Sequence, residues 1–289
     1  MTNHTPTRRD FLRTSAVATA AFAVPSLAIA KDEDAYGGFK VGAQSYTFRK
    51  FKLEQAVKKI ADCGMHYVEF YNGHVPLNST PEQIKSVLNL CKDNGITPVA
   101  FGVEGFTKNH DANKKKFEFA AALGVKSLSA DPSMDCFESL DKLCDEFKIA
   151  IAIHPHGPSG GKGRHQWWSA EVIMKAVKDH HKLIGTCLDT GHLIRMAQLG
   201  EKIDPAQQVK VMGERNFGMH LKDHNNEKKT DVVYGKDGGV LDVVAILKAL
   251  REVKFGGLIS IEYEAKADEP SADVKACLEV FRDCVKKLG

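Results

Sequence analysis

The chain has 289 residues, of which 43% are hydrophobic and 27% are charged, and this composition excludes a disordered chain. Its length is sufficient for one large apolar core or two smaller ones. Its formal net charge of +3 at pH 7 gives no basic surplus of the kind that nucleic-acid-binding proteins use, so no nucleic-acid partner is expected.

The first thirty residues have the features of an export signal. Residues 7–13 contain a twin-arginine pair followed by Asp-Phe-Leu-Arg, and the Ala-rich stretch from Ser15 to Ala30 ends on Ala-Ile-Ala, a small-x-small sequence. We predict a twin-arginine signal peptide over residues 1–30, which would direct the mature chain to the periplasm or outside the cell. The alternative is a disordered or amphipathic, membrane-anchored tail. The sequence contains no run of about 20 strongly apolar residues, so stable membrane insertion is not expected.

Removal of residues 1–30 also changes the charge balance. Because this segment carries three arginines and one aspartate, the formal net charge falls from +3 to +1. The seven cysteines are scattered along the chain without a Cys-x-x-Cys pair. Their odd number and their spacing predict neither a disulfide framework nor a thiolate zinc site, and indicate small buried side chains instead.

After a flexible lead-in over residues 31–38, short apolar or β-branched runs alternate with segments of helical period. The predicted strands are Val41–Phe48, Tyr67–Tyr71, Thr97–Val103, Ser127–Ala130, Ala150–His154, Gly185–Asp189, Phe217–Lys222 and Leu258–Tyr263. The predicted helices are Leu53–Cys63, Pro81–Asp93, Lys114–Leu123, Phe137–Phe147, Ser169–His180, Pro205–Met212, Leu241–Arg251 and Ala272–Lys287.

Eight alternating strand and helix pairs predict an α/β fold, a single (β/α)8 TIM barrel over residues 39–289. A doubly wound sheet is the main competitor, but no Gly-x-Gly-x-x-Gly or Walker-type loop follows the first predicted strand. Two connections are longer than usual, Pro155–Gln166 and His224–Gly239. Both follow strands, so we expect them on the C-terminal face, where barrel enzymes carry their active sites.

Polar side chains stand near the C-terminal ends of five predicted strands: Glu69, His154, Asp189, His220 and Glu262. Because these ends converge on one mouth of a closed barrel, residues distant in sequence can bind the same cation. Any one of them is also explained as a hydrogen-bonded buried residue, but their occurrence on four successive strands favours a metal. Imidazole and carboxylate together suit one divalent ion, with Mn²⁺ expected first, then Co²⁺ or Zn²⁺ and, less readily, Mg²⁺.

Three further side chains have both a functional and a structural interpretation. Lys222 shares a strand face with His220 and would neutralise an enolate oxygen, or would simply be solvated. Trp167 follows a Gly-rich, basic loop and would stack on a sugar ring, or would anchor the next helix. His156 lies just past Pro155, where substrate contact and a structural role are equally supported.

The chain resembles the xylose isomerase-like barrels, commonly called sugar phosphate isomerases/epimerases. The matching sequences are Val-Glu at 68–69, Leu-Asp-Thr-Gly-His at 188–192, Met-His-Leu-Lys-Asp at 219–223 and Gly-Leu-Ile-Ser-Ile-Glu-Tyr-Glu at 257–264. The resemblance covers residues 39–289 and implies that Asp189, His220 and Glu262 are metal ligands. It also implies that His192 contacts a substrate oxygen.

The chain departs from the ketose 3-epimerases of this superfamily after the fifth strand. Those enzymes carry a glutamate there, paired with the glutamate of the eighth strand, whereas this chain reads His154-Pro155-His156. A proton exchange between two symmetrical glutamates is therefore in doubt. His154 would act as a ligand or replace the acid/base. In the second case Glu262, a ligand and possible base, would be too weakly basic to act alone, and Glu69, His156 or a metal-bound hydroxide would take the proton.

The first functional hypothesis is a divalent-metal-dependent isomerase or epimerase of a non-phosphorylated sugar or keto-sugar, which acts through an enediolate. Export argues against a sugar phosphate as substrate. The second hypothesis is a 3-keto-glycoside lyase or hydratase, which shares the first proton abstraction and needs one base only. A non-catalytic carbohydrate-binding barrel and a DNA-repair enzyme similar to the abasic-site endonucleases are the remote alternatives.

Overall fold

The computed structural model describes residues 35–158 and 163–288, so the predicted signal peptide lies outside the described residues. Within the described ranges, the strands are β1 (Lys40–Gln44), β2 (Tyr67–Phe70), β3 (Thr97–Phe106), β4 (Ser127–Pro132), β5 (Ala150–Ile153), β6 (Ile184–Asp189), β7 (Asn216–Leu221), β8 (Asp223–Asn225), β9 (Thr230–Val232) and β10 (Leu258–Ile261). The helices are α1 (Leu53–Asp62), α2 (Pro81–Asp93), α3 (His110–Leu123), α4 (Phe137–Phe147), α5 (Ala170–Val177), α6 (Thr190–Arg195), α7 (Pro205–Met212), α8 (Val243–Glu252) and α9 (Ser271–Lys286).

The described strands form a closed barrel in the order β1-β10-β7-β6-β5-β4-β3-β2, in which every neighbouring pair is parallel. Closure is made where β1 pairs with β10, with Val41 opposite Ile259. Helices connect successive barrel strands, so the predicted (β/α)8 barrel is confirmed. All of the described strands of the barrel therefore point their C-terminal ends toward the same mouth.

The barrel strands are buried on both faces, which explains their apolar runs. Every residue of β5 and β6 is buried, because side chains on one face fill the barrel and those on the other face contact the helices. Helix α2 begins where Thr80 accepts a hydrogen bond from the backbone N–H of Gln83, and Pro81 occupies its first turn. Such local signals set the helix boundaries, while apolar burial holds the helices on the barrel.

The long connection after β7 contains structure that the sequence pattern did not predict. Strands β8 and β9 form a small antiparallel hairpin that begins at Asp223 and otherwise lies within the predicted loop His224–Gly239. The buried carboxylate of Asp223 organises this segment, because it accepts hydrogen bonds from the backbone N–H groups of His224, Gly235, Val240 and Leu241 at 2.8 to 3.2 Å. One side chain thus provides hydrogen-bond partners for four backbone N–H groups of this connection.

Within the described residues, no helix is both long enough and apolar enough to cross a bilayer.

Candidate metal centre

Four side chains meet at the C-terminal mouth of the barrel, and we call them the ligand cluster: His154, Asp189, His220 and Glu262. One ligand-type atom from each lies within 4.8 Å of the others, and all four residues are buried. Asp189 ends β6 and His220 lies in β7, while His154 and Glu262 directly follow β5 and β10. The barrel therefore brings together the residues that the sequence proposed as metal ligands.

The distances between the side-chain atoms of the ligand cluster are short, and one of them joins two imidazole nitrogens. His154 Nε2 lies 3.1 Å from His220 Nδ1 and 3.4 Å from Asp189 Oδ2. His220 Nδ1 is 3.2 Å from Glu262 Oε2. Two imidazole nitrogens facing each other repel unless a proton or a cation lies between their lone pairs.

Two observations show that this cluster fits a divalent cation. Asp189 Oδ2 is buried and accepts no hydrogen bond within the described residues. The donor set of two nitrogens and two carboxylate oxygens is of borderline character, which suits Mn²⁺, Co²⁺ or Zn²⁺ better than Ca²⁺. The chemistry of the four residues is thus that of a binding site.

The ammonium of Lys222 is buried beside the ligand cluster. Its Nζ lies 2.8 Å from Glu262 Oε2 and 3.3 Å from Asp189 Oδ2, and it also contacts Glu264. Lys222 is only 1% exposed, so the solvated alternative does not fit it. The stem of Lys222 lies against Gly191, where an added Cβ would be 2.7 Å from Lys222 Cδ.

Lys222 also controls the ionisation of its neighbours. Burial is the largest single influence and opposes the charged forms of Asp189 and Glu262, but the ammonium of Lys222 and the neighbouring histidines together outweigh it and hold both pKa values below the ordinary range. Burial likewise opposes the charge on Lys222, yet Asp189, Glu262 and Glu264 raise its pKa well above the usual value. Both cluster carboxylates are therefore anions over a wide pH range, as ligands must be.

Glu69 lies behind His220 and not in the cavity. Its Oε2 accepts hydrogen bonds from His220 Nε2 at 2.9 Å and from the hydroxyl of Ser260 at 2.9 Å. A carboxylate that accepts from one ring nitrogen fixes the tautomer and leaves the other nitrogen, here Nδ1, free for a cation. The interpretation of Glu69 as a base that meets substrate does not fit this position, because the side chain is 1% exposed. Glu69 is placed to orient His220.

His192 has a tautomer fixed by the backbone. Its Nδ1 accepts a hydrogen bond from the N–H of Gly157 at 2.9 Å, so the neutral ring carries its proton on Nε2. Burial holds the pKa of His192 well below its usual value, which keeps the ring neutral. His192 is thus a hydrogen-bond donor and not a base, and it borders the cavity beside the ligand cluster.

His156 lies in the same cavity wall, in edge contact with the rings of His154 and His192. Its Nε2 is 3.8 Å from Asp131 Oδ2, too far for a hydrogen bond, and is buried without a partner among the described residues. Burial, and next the neighbouring His154, lower the pKa of His156 to about 3. The ring is therefore neutral near pH 7 and able to accept a proton only weakly.

Trp167 does not offer a ring face to the cavity. It is fully buried, its Nε1–H donates to the carbonyl of Pro132 at 2.9 Å, and its ring packs edge-on against Phe137. Trp167 therefore anchors the segment before α5 against the barrel, which agrees with the structural interpretation given to it from the sequence.

A cavity of about 280 Å³ opens beside the ligand cluster, and we call it the sugar-sized pocket. Besides His154, His156, His192 and Glu262, its lining includes residues that the sequence analysis did not select: Gln44, Tyr46, Tyr71, Asn72, Gly102, Val103 and Glu264. Gln44 ends β1, but the predicted first strand ran on to Phe48, so the rule that flagged polar residues at strand ends did not reach it. Tyr46 and Tyr71 give the pocket one aromatic wall, with ring centroids 5.3 Å apart.

A closed parallel barrel with helical connections defines a TIM barrel, and the two buried histidines and two carboxylates at its C-terminal mouth are able to hold a metal ion. Residues 57–284 match the family model described as xylose isomerase-like TIM barrel, and the chain belongs to this family. Residues 5–25 match the twin-arginine translocation signal sequence, which confirms the predicted route of export. No curated protein matches the chain.

Solved structures share the barrel over nearly their full lengths. An uncharacterised protein from Parabacteroides distasonis ATCC 8503 is 26% identical, with a TM-score of 0.65 over 85% of this chain and 99% of its own. D-Psicose 3-epimerase is 17% identical, with a TM-score of 0.63 and coverage of 86% and 98%. 3-Keto-D-glucoside 4-epimerase from E. coli is 16% identical, with a TM-score of 0.65 and coverage of 85% and 100%. The likeness to the two epimerases is one of fold.

Proposed function

We propose that this protein is a divalent-metal-dependent isomerase or epimerase of a non-phosphorylated sugar or keto-sugar, acting through an enediolate. The observation that carries the proposal is the ligand cluster, in which four buried ligand atoms converge within 4.8 Å beside an open pocket. Solved barrels of similar fold include sugar epimerases, which is in keeping with a carbohydrate substrate. We propose a periplasmic or extracellular place of action, following the export signal.

His154, Asp189, His220 and Glu262 would hold one divalent ion, with Mn²⁺ as the first expectation. When bound, such an ion supplies Lewis-acid stabilisation of the negative charge that develops on the substrate oxygens. Glu69 keeps His220 in the tautomer that ligation requires.

The remaining steps belong to the side chains that border the pocket. Glu262 is the carboxylate of the cluster that also lines the pocket, and it would take the proton from the carbon beside the carbonyl. The His192 Nε2–H would donate to a substrate oxygen as that oxygen gains charge. The Lys222 ammonium, held near Glu262, would offset the same charge.

The position of His154 favours a second candidate, a 3-keto-glycoside lyase or hydratase. His154 Nε2 faces His220 and Asp189 inside the ligand cluster. The sequence after β5 reads His-Pro-His, so the position that would return a proton on the opposite face of the sugar carries no carboxylate. A lyase needs one base and one general acid, so its mechanism does not require a second carboxylate at the position of His154. An epimerase needs a second acid/base. Because the low pKa of His156 makes it a weak base, this role would fall to Glu264, the other carboxylate that lines the pocket.

The decisive experiment combines metal analysis of the mature chain with turnover in deuterated buffer. Free ketoses and 3-keto-glycosides are offered to the Mn²⁺-loaded protein and the products are examined by mass spectrometry. Deuterium in an isomeric product supports the isomerase, and release of the aglycone supports the lyase. A protein that binds no divalent metal, or that exchanges no proton with either substrate class, would contradict the proposal.

The variant His192→Ala serves as a matched control for the ligand assignments. Since the Nε2 of the neutral His192 ring carries a proton, its removal should leave the bound metal unchanged while turnover falls. Loss of metal from His192→Ala would instead make His192 a ligand.

A further inference from the structure

The ammonium of Lys222 touches the same carboxylate oxygens that face the imidazoles of the ligand cluster. Its Nζ lies 2.8 Å from Glu262 Oε2, and that oxygen is 3.2 Å from His220 Nδ1. The same Nζ lies 3.3 Å from Asp189 Oδ2, which is 3.4 Å from His154 Nε2. The ammonium and a divalent ion held by the cluster would therefore draw on the lone pairs of the same two oxygens.

The backbone and the stem of Lys222 are held in place. The hydroxyl of Thr190 accepts from the Lys222 N–H at 2.9 Å and donates to the Lys222 carbonyl at 2.6 Å. The stem packs against Gly191, where an added Cβ would be 2.8 Å from Lys222 Cγ and 2.7 Å from Cδ. A cation that enters the ligand cluster can therefore displace the end of this side chain, but not the residue as a whole.

Glu264 is an alternative partner for the displaced ammonium. Its carboxylate contacts Lys222 Nζ, lies outside the ligand cluster and lines the sugar-sized pocket with its side chain 35% exposed. The backbone of Glu264 is fixed, because its N–H donates to Asp231 Oδ2 at 2.9 Å and its carbonyl accepts from Arg49 at 2.7 Å. Lys222 can thus leave the two cluster carboxylates without becoming a buried charge that has no partner.

We propose that Lys222 is a displaceable counter-cation of the metal centre, which compensates Asp189 and Glu262 in the metal-free protein and moves onto Glu264 when a divalent ion binds. The affinity of the site is then set by competition between the ion and the ammonium, and Glu264 assists the ion by holding the ammonium away from the cluster. The inference deepens the proposed function, on which it rests for the presence of the ion. Because Glu264 lines the pocket, the displaced ammonium stays beside the substrate.

The test measures Mn²⁺ affinity by isothermal titration calorimetry in the unmutated chain and in single variants of the two residues. Lys222→Met removes the competitor and should bind Mn²⁺ about tenfold more tightly, a usual size for the coupling between two ligands. A lysine that merely supports the site would have the opposite effect. Glu264→Gln should weaken Mn²⁺ binding, because Lys222 then stays on the cluster carboxylates.

The matched control is Lys229→Met, which removes a positive charge from the connection between β8 and β9. Lys229 is exposed and is not part of the ligand cluster, so Mn²⁺ affinity should not change. A gain in affinity equal to that of Lys222→Met would mean that net charge, and not displacement, is responsible, and the proposal would be wrong.

The double variant Lys222→Met/Glu264→Gln separates displacement from direct attraction between Glu264 and the ion. If Glu264 acts by holding the ammonium, its substitution should lose its effect once Lys222 is absent. A loss of affinity that persists in the double variant, or a Lys222→Met protein that binds Mn²⁺ no more tightly than the unmutated chain, would overturn the proposal.

A crystal structure of the Mn²⁺-loaded, unmutated chain decides the matter if a variant does not fold. Lys222 Nζ should then contact Glu264 alone, and an Nζ still in contact with Asp189 or Glu262 would contradict displacement. None of these measurements depends on turnover. The expected affinities without deuterium exchange would remove the proposed function and leave the displacement, whereas exchange with unchanged affinities would do the reverse. Absence of metal binding in every protein would remove both.

Discussion

The two ends of the barrel carry their charges in opposite ways. At the N-terminal end, Lys40, Lys126, Lys148 and Lys254 border a surface cavity, and all four are exposed. At the C-terminal end, Lys222 and the ligand cluster are buried in direct contact. Exposed charges contribute little to stability, whereas buried ones are tolerated only while they compensate each other. The contrast supports the proposed site at the C-terminal mouth, because stability alone does not require buried charges there.

The largest expected effect is that of removing an imidazole from the C-terminal end. His220→Ala should weaken Mn²⁺ binding by more than about 100-fold, the upper figure for loss of a group that merely orients a ligand. Turnover should fall with metal content. Lys254→Met, at the other end, should change neither. Metal analysis measures the Mn²⁺ content and calorimetry measures the Mn²⁺ affinity. Full Mn²⁺ content in His220→Ala would show that His220 is a structural residue and not a ligand.

The second effect is on stability. Lys222→Met leaves Asp189 and Glu262 buried without their ammonium, and should lower the free energy of unfolding of the metal-free protein by about 3 kcal/mol. Because Mn²⁺ supplies positive charge at the same carboxylates, the loss should be smaller in the loaded protein. Denaturant unfolding in chelator and in Mn²⁺ gives both values.

The control is Lys40→Met, which should stay within about 0.5 kcal/mol in either state because its lysine is exposed. An equal loss for Lys222→Met with and without metal would show that Lys222 acts through packing alone.

A smaller effect is expected at the residue behind the cluster. Glu69→Gln removes the negative charge that orients His220 but keeps the size of the side chain. Mn²⁺ affinity should fall about 10- to 100-fold. If instead metal binding is retained and proton exchange is lost, Glu69 is a base after all, and our placement of it behind His220 is wrong.

The smallest effect concerns pH. Burial, and then His154, depress the pKa of His156 to about 3, so the folded protein favours the neutral ring. The unfolded chain takes up this proton near pH 6.5, and the stability from the neutral ring is therefore lost as pH falls below that value. Between about pH 7.5 and 5 the loss from His156 is about 2 kcal/mol.

The measurement is the difference in unfolding free energy between the unmutated chain and His156→Gln at both pH values. The variant should lose less stability on acidification, and identical pH slopes would refute the buried, neutral state of His156.

The fold was predictable where local signals and burial agree. The bounds of α2, α4 and α7 match the sequence prediction, and α2 and α7 each begin with a proline in the first turn after a side-chain cap. The first strand was predicted to extend to Phe48 but ends at Gln44, because a 3-10 turn over Ser45–Phe48 carries the chain to α1. An apolar run does not distinguish a strand from such a turn.

The site was predictable in its residues but less so in their roles. The topology of parallel strands was enough to bring Asp189, His220 and Glu262 together. The distinction between a side chain in the pocket and one behind a ligand, as with Glu69, depends on which face of the strand the side chain leaves and on its partners. Likewise the sequence left Trp167 undecided, because its burial against Phe137 depends on the path of the loop before it.

The reactivity of the seven cysteines would measure local unfolding of the barrel. All seven are buried free thiols, and burial raises the pKa of Cys91, Cys136, Cys144 and Cys277 to about 12. Thiolate, the reactive form, is therefore scarce while the barrel is closed. In an oxidising compartment, each thiol should modify only as fast as its surrounding helix or strand opens. The order in which an alkylating reagent modifies the seven thiols would then rank the segments of the barrel by how readily each opens. The measurement needs only the unmutated protein.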